Sequence, residues 1–277
     1  MHHVGRLTET AAVTDPYGGH CRQLSRRAIV DREAGSVHQE IHVVELGPGG
    51  GIDRHLHAYE ESLYVLEGSL SLSVAGADEQ LGADDYALLD AAVPHALRND
   101  SGGVVRWLEL AGPQPGAGLD DPVFVAGESE DQPGAPARRG HFDPGQLPEP
   151  SGAIGLEGFG QANVGGAALK MLVDRDNGAT QFNLFVVQYQ PGGFIKEHDH
   201  PFEEAFFFVS GEIEAVLDGE THTLQAGDYC WSGSGSMHAF TNRSDAPVRW
   251  LETQVPQPPT RYQARFVNEW ERTAGTS

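Results

Sequence analysis

His198-Asp199-His200-Pro201-Phe202-Glu203-Glu204 puts two imidazoles one residue apart and a carboxylate four residues beyond the second. His238 follows at the end of Gly233-Ser234-Gly235-Ser236-Met237-His238. Three imidazoles and one carboxylate are a donor set for a divalent first-row transition metal. On a strand, residues of equal parity share a face, and His198, His200, Glu204 and His238 are all even-numbered. Glu203 is odd, which selects Glu204 as the ligand.

The arrangement occurs twice. His55, His57, Glu61 and His95 repeat the spacing 143 residues earlier, the separation both of His55 from His198 and of His95 from His238. The register extends well beyond the ligands, as an internal repeat should. Ile29-Val30-Asp31-Arg32 aligns with Leu172-Val173-Asp174-Arg175, and Pro48-Gly49-Gly50 with Pro191-Gly192-Gly193. Val105-Arg106-Trp107-Leu108-Glu109 aligns with Val248-Arg249-Trp250-Leu251-Glu252, and Pro113-Gln114-Pro115 with Pro256-Gln257-Pro258. No gap is needed from residue 29 to residue 115. One domain is present twice, each copy with its own ligand set.

These motifs resemble those of the cupin superfamily. Gly49, His55, His57, Glu61 and Gly68 look like its first motif, and Gly192, His198, His200, Glu204 and Gly211 repeat it. Gly227-Asp228, Gly233, Gly235, His238 and Asn242 are similar to its second motif. The N-terminal copy is looser: Asp84-Asp85 replaces Gly-Asp, Asp90 the proline and Ala92 the turn glycine, while His95 and Asn99 stand. The resemblance implies an all-β chain of two tandem cupin barrels, of the double-stranded β-helix or jelly-roll kind. It assigns 1–115 to an N-terminal domain, 116–151 to a Gly/Pro-rich linker and 152–277 to a C-terminal domain.

Composition agrees with many short strands joined by turns: 39% of residues are hydrophobic, with 35 glycines and 17 prolines. Ser69-Leu70-Ser71-Leu72-Ser73-Val74 alternates as a half-buried strand does. A formal charge of −22 argues against nucleic acid or an anionic membrane as a partner. No apolar run approaches the roughly 20 residues of a membrane span, and Met1–Arg6 lacks the apolar core of a signal peptide. Cys21 and Cys230 are not equivalent under the repeat and form no CxxC pair, so both are expected as free thiols in a reducing cytoplasm. The N-terminal 28 residues are expected to add an edge strand to one barrel, and the tail with Phe266, Val267 and Trp270 to pack across the domains. Gly158-Phe159-Gly160 is no phosphate loop. His38 and His42 have no histidine counterpart in the second copy and read as surface or strand-face residues.

Four protein ligands leave two positions of a six-coordinate ion open, the condition for a catalytic rather than a structural metal. One divalent ion per domain is expected. Fe(II) or Mn(II) is favoured, although Ni, Co, Cu and Zn suit the same donors. At ligand parity the second copy has Lys196, Phe206, Phe208 and Phe240 where the first has Asp53, Leu63, Val65 and Leu97. The second pocket should therefore be the more aromatic and carry a cation. Lys196 is expected to hold a substrate carboxylate, or to act as acid or base once burial lowers its pKa. Trp231, beside Cys230 and just before the ligand loop, is expected to line the same pocket. Asn99 and Asn242 are expected in turns, not as ligands.

The resemblance implies an oxidoreductase, a dioxygenase whose small substrate chelates the metal through vicinal oxygens beside dioxygen. Quercetin-type cupins use this three-histidine, one-glutamate set. Two alternatives remain. The layout is similar to Mn(II) ureidoglycine aminohydrolases, whose ligands are spaced differently, and to oxalate decarboxylases, which are longer. A non-catalytic binding role, as in seed-globulin cupins, is the other. The resemblance also implies a homodimer.

Overall fold

The structure is a computed structural model that describes residues 1–116, 121–125, 136–147, 153–154, 162–259 and 264–267. The alternating run Ser69–Val74 forms a strand, with Leu70, Leu72 and Val74 turned into a core. The strands before each ligand motif are the longest, Glu40–Leu56 and Asn183–Asp199, each 17 residues. Each bends at its Pro-Gly-Gly. Gly49 and Gly192 have φ of +70° and +77°, a region open to glycine. A Cβ on Gly50 would sit 2.8 Å from the Arg22 carbonyl, and one on Gly193 2.7 Å from that of Gly166. The bend lets one strand serve two neighbours. Glu40–Leu56 pairs with Val105–Gly112 through its first half and with His95–Arg98 through its second. Asn183–Asp199 pairs with Val248–Val255 and His238–Thr241 in the same way.

Among the described residues there are two sheets of eleven strands, nearly all antiparallel and each curled on itself. One side of each sheet closes on a private core. In the first barrel this core holds Leu63, Val65, Leu97 and Trp107; in the second it holds Phe206, Phe208, Phe240 and Trp250. The other sides meet in a shared core that includes Tyr64, Leu108, Leu110, Phe182, Phe207 and Leu251. Sheet-to-sheet burial of this kind joins the domains into one body.

The sheets also exchange ends. Strand His2–Arg6 pairs with Asp228–Ser232 of the second sheet, and Arg138–His141, from the expected linker, pairs with Asp85–Leu89 of the first. The partition at 115 and 151 follows chain order, whereas the sheets do not. Two carboxylates fasten the interface. Glu203 accepts from Ser36 Oγ at 2.6 Å, Val37 N at 2.9 Å and Trp231 Nε1 at 3.3 Å. Its repeat counterpart Glu60 accepts from Thr180 Oγ1 at 2.5 Å, Thr180 N at 3.0 Å and Gln181 N at 3.0 Å. Odd parity thus gives Glu203 a role on the opposite face from Glu204.

No helix among the described residues is long and apolar enough to cross a membrane. Both cysteines are free and buried. Tail residues Arg265–Phe266 pair with His198 and Asp199; Trp270, Gly158-Phe159-Gly160 and half of the linker lie outside the described residues.

Candidate metal centres

His55, His57 and His95 converge inside the first barrel, and His198, His200 and His238 inside the second, with ligand atoms within 4.8 Å of one another in each set. All six are buried. Backbone carbonyls orient four of the rings. His55 Nδ1 donates to Asp53 O at 2.7 Å and His95 Nδ1 to Val93 O at 3.0 Å. His198 and His238 do the same to Lys196 O at 2.7 Å and Ser236 O at 3.1 Å. Fixing the proton on Nδ1 leaves an Nε2 lone pair on each of these four rings. Glu61 Oε2 lies 3.1 Å from His95 Nε2 and 3.7 Å from His57 Nε2. Glu204 Oε2 lies 3.1 Å from His238 Nε2 and 3.3 Å from His200 Nε2.

These separations suit an ion. Adjacent donors about 2.1 Å from one octahedral centre sit about 3.0 Å apart. Glu61 Oε2, His95 Nε2 and Glu204 Oε2 are buried without a well-formed hydrogen bond, an arrangement that is costly unless something else binds them. Burial pushes the Glu61 carboxyl up, but His57 and His95 hold it down at about 2, so it is a carboxylate ready to ligate.

The two centres differ in what surrounds them. In the first barrel, Arg26 Nη2 meets Glu109 Oε1 at 2.6 Å and His42 Nε2 meets Glu40 Oε1 at 3.2 Å. Of the two places its sequence allowed, surface or strand face, His42 takes the second: it lies on strand Glu40–Leu56, buried in a polar network. Asp121 contacts His57 Nδ1 at 3.3 Å and accepts from the Tyr59 hydroxyl at 2.7 Å. Tyr17 stacks on His55, and Phe124 lies beside both rings. In the second barrel the counterparts of Arg26, Glu40, His42 and Tyr59 are Leu169, Asn183, Phe185 and Phe202. The network is gone, and a cavity of about 490 Å³ opens over the quartet. Leu169, Phe185, Phe206, Phe240 and Trp250 wall it, and Lys170, Asp174, Arg175 and Asp176 are also on its lining.

Glu252, the counterpart of Glu109, also lines this cavity. It has lost the arginine, and its Oε2 accepts from Trp250 Nε1 at 2.8 Å. Burial first, then the neighbouring Glu204 carboxylate, push its pKa well above the usual carboxylate range. Gln254 Nε2 donates to Glu204 Oε1 at 2.9 Å, leaving Oε2 for the ion. The sequence reading missed both residues. The signal was there in the repeat: Glu109 and Glu252 align, but their partners Arg26 and Leu169 do not match.

Three expected pocket residues stand elsewhere. Lys196 is exposed and does not line the cavity. Register slips between Ile195 and His198, so Lys196 and Glu197 both bulge outward and Ile195 takes the inward place. The same slip lies between Ile52 and His55. The cations near this cavity are instead Lys170 and Arg175. Trp231 sits opposite Ala205, one residue out of step with Glu204 and Ser232, so it faces the shared interdomain core. Phe208 is inside the barrel but behind the cavity wall, 5.7 Å from Trp250 ring to ring. Phe206 and Phe240 do line the cavity. Asn99 and Asn242 clasp turns, donating to the Gly103 and Ala246 carbonyls at 2.8 Å.

Comparison with known proteins places this geometry. Over 234 residues the chain is 24% identical to quercetin 2,3-dioxygenase of Bacillus subtilis, covering 73% of this chain and 68% of that protein. It is 33% identical over 96 residues to polyketide synthase CurC of Streptomyces cyaneus, 34% of this chain; the match spans 62% of that relative's length. The fold is similar to that of Lactobacillus farciminis oxalate decarboxylase in its formate complex, with a TM-score of 0.69 at 17% identity over 98% of this chain and 90% of that one. A family model for the cupin domain matches residues 42–111 and again residues 185–253. Two matches to one family, on two sheets that each gather three imidazoles and a carboxylate, make this chain a two-domain member of the cupin superfamily.

Proposed function

We propose that the C-terminal barrel is the catalytic one, and that the protein is a metal-dependent dioxygenase acting on a small, ring-containing molecule that chelates the ion through adjacent oxygens. One observation carries this reading: the quartet of His198, His200, Glu204 and His238 lines a cavity of about 490 Å³ with aromatic walls. Cavities of about 300–1,000 Å³ accept drug-sized organic molecules. A two-carbon diacid would leave most of this one unfilled.

His198, His200, Glu204 and His238 would hold the ion, which supplies Lewis acidity and, as Fe(II) or Mn(II), a path for electrons between substrate and dioxygen. The chain's own groups do the rest. Phe206 and Phe240 offer ring faces to a planar substrate and keep water out. Glu252, whose pKa burial and the Glu204 carboxylate raise, stands on the cavity lining where it would hydrogen-bond a substrate oxygen. Lys170 and Arg175 attract an anionic group at the cavity. The polar network of the first barrel leaves its centre a supporting, structural role.

The test is an oxygen electrode. Protein reconstituted with Fe(II) or Mn(II) is screened with flavonols, catechols and, given the likeness to CurC, polycyclic aromatic polyketides. Oxygen uptake matched to substrate loss, and abolished in H198A, is the expected result. Turnover without oxygen would overturn it. That outcome would select the second reading, a Mn-dependent lyase or hydrolase, which Glu252 favours because a buried protonated carboxyl can deliver a proton.

A further inference from the structure

We propose that His2, Glu220 and His222 form a third metal site, on the outside of the C-terminal barrel, for a borderline divalent ion such as Zn²⁺. Its ion would pin the amino-terminal strand to that barrel. The three donors lie within 4.8 Å of one another. His2 arrives on strand His2–Arg6, where it faces Ser232. Glu220 and His222 belong to strand Glu220–Gln225, which forms a hairpin with Glu212–Leu217. The hairpin turns at Asp218-Gly219, with φ of +48° and +86°, the mirror-image turn that Asp-Gly favours.

Asp218 supplies what histidine ligands usually have, a carboxylate behind the ring. His2 Nδ1 donates to Asp218 Oδ2 at 3.1 Å, and the Met1 amino group meets the same oxygen at 2.9 Å. The lone pair of His2 is thereby placed on Nε2, 3.8 Å from Glu220 Oε2. His222 Nε2 lies 4.0 Å from that same oxygen. It is buried and has no hydrogen-bond partner. Donors on a tetrahedral zinc stand about 3.4 Å apart. The contraction required is small, and the Glu220 side chain, 71% exposed, is free to make it.

The first barrel shows how this corner is closed without a metal. Asp218, Glu220 and His222 correspond there to Ala75, Ala77 and Glu79. Glu79 is paired with Arg139, which comes from the crossing strand Arg138–His141 at 2.5 Å. Where the first barrel has this Arg–Glu pair, the second has two imidazoles and a carboxylate, three donors that a shared divalent cation would join. None of the three lines the cavity of the catalytic proposal.

The experiment counts ions. Full-length protein and the variants His222→Ala and Glu220→Ala are loaded with Zn²⁺ at near-neutral pH, freed of loose metal and analysed by mass spectrometry for zinc per chain. Wild type is expected to hold one equivalent more than either variant, and Asp218→Asn to weaken that equivalent about 10- to 100-fold. Amide exchange over residues 3–6 supplies a second readout: Zn²⁺ should slow it in wild type and leave it unchanged in His222→Ala. Equal zinc content in wild type and both variants would overturn the proposal. So would protection of that strand that rises on acidification and ignores zinc, because a protonated histidine would then be the cation.

Discussion

Glu203 should be worth more to this protein than an ordinary surface carboxylate, and the amount follows from its contacts. It is 2% exposed. It accepts short hydrogen bonds from Ser36 Oγ and Val37 N and a longer one from Trp231 Nε1, whose ring lies in the interdomain core. Glu203→Ala removes the acceptor all three share. Ser36 Oγ has a second acceptor in Gln39 O at 2.8 Å, so it is largely rescued. Val37 is 64% exposed, so water can take its N–H, whereas Trp231 Nε1, on a fully buried side chain, is stranded. Hydrogen bonds to a charged group are worth about 1.5–3 kcal/mol each, and an unsatisfied buried donor costs about 1–3 kcal/mol. With one donor stranded, the loss is about 2–3 kcal/mol, a fall in melting temperature on the order of 5–10 °C. Glu60→Ala, the repeat-related change, should cost less, because Thr180 is exposed and water can take its donors. The assay is denaturant unfolding of metal-loaded protein, with zinc or iron content measured to show that Glu204 and Glu61 still ligate. A loss under about 1 kcal/mol for Glu203→Ala, or a larger loss for Glu60→Ala, would refute the account of the interface.

Other expectations follow from the cavity and the ligands. Leu169→Arg recreates beside Glu252 the cation that Arg26 provides for Glu109; by filling the cavity it should cut kcat/KM by about 100-fold or more, near 2.7 kcal/mol, with metal content unchanged. Arg26→Leu does the reverse in the first barrel and, by leaving Glu109 buried without its cation, should cost about 3–5 kcal/mol of stability in thermal unfolding. Lys196→Ala, on the outward bulge, should leave kcat/KM within about twofold of wild type; a larger drop would restore Lys196 to the site. For pH, the sign is set by competition between proton and metal for the same ring nitrogen. Burial pushes His57 down, but Glu61 and Asp121 outweigh it and its pKa is raised; burial drives His55 and His198 well below the usual value. Protons therefore reach His57 before His55 as pH falls, and His57 should be the first ring the first barrel loses from its ion. A dialysis series on His198→Ala protein, which keeps only the first centre, would follow that release, and Asp121→Asn should move it to lower pH.

Most of the architecture was legible because two signals are local and repeated. The ligand spacing and the 143-residue offset need only the chain itself, and together they gave both barrels and all eight converging side chains. What failed was parity carried too far. Counting by twos from His198 to Lys196 assumes an unbroken pleat, and a bulge is a one- or two-residue event that composition does not announce. Trp231 misled for a related reason: nearness in sequence to the ligand loop says nothing about which sheet face a residue takes. The edge strand expected of the N-terminal segment is there as His2–Arg6; that it would join the second sheet was beyond reach, because short edge strands carry too little pattern to reveal their partners.

The duplication also makes each barrel a control for the other. Both have the same bend, the same bulge and the same ligands, so differences between their interiors cannot be charged to the fold. In the first barrel Arg26 pairs with Glu109 and His42 with Glu40, and the counterparts of all four line the cavity of the second. In the second, Leu169, Asn183 and Phe185 remove the cation and shorten the polar groups, but Glu252 stays. A carboxyl retained after its partner is lost costs stability if nothing ever meets it. Trp250 Nε1 now donates to it at 2.8 Å, and it stands on the lining of an open, aromatic cavity, where under the catalytic proposal a substrate oxygen would meet it. Leu169→Arg, which would close the space and re-pair the carboxyl at once, therefore separates a working second centre from a merely hollow one.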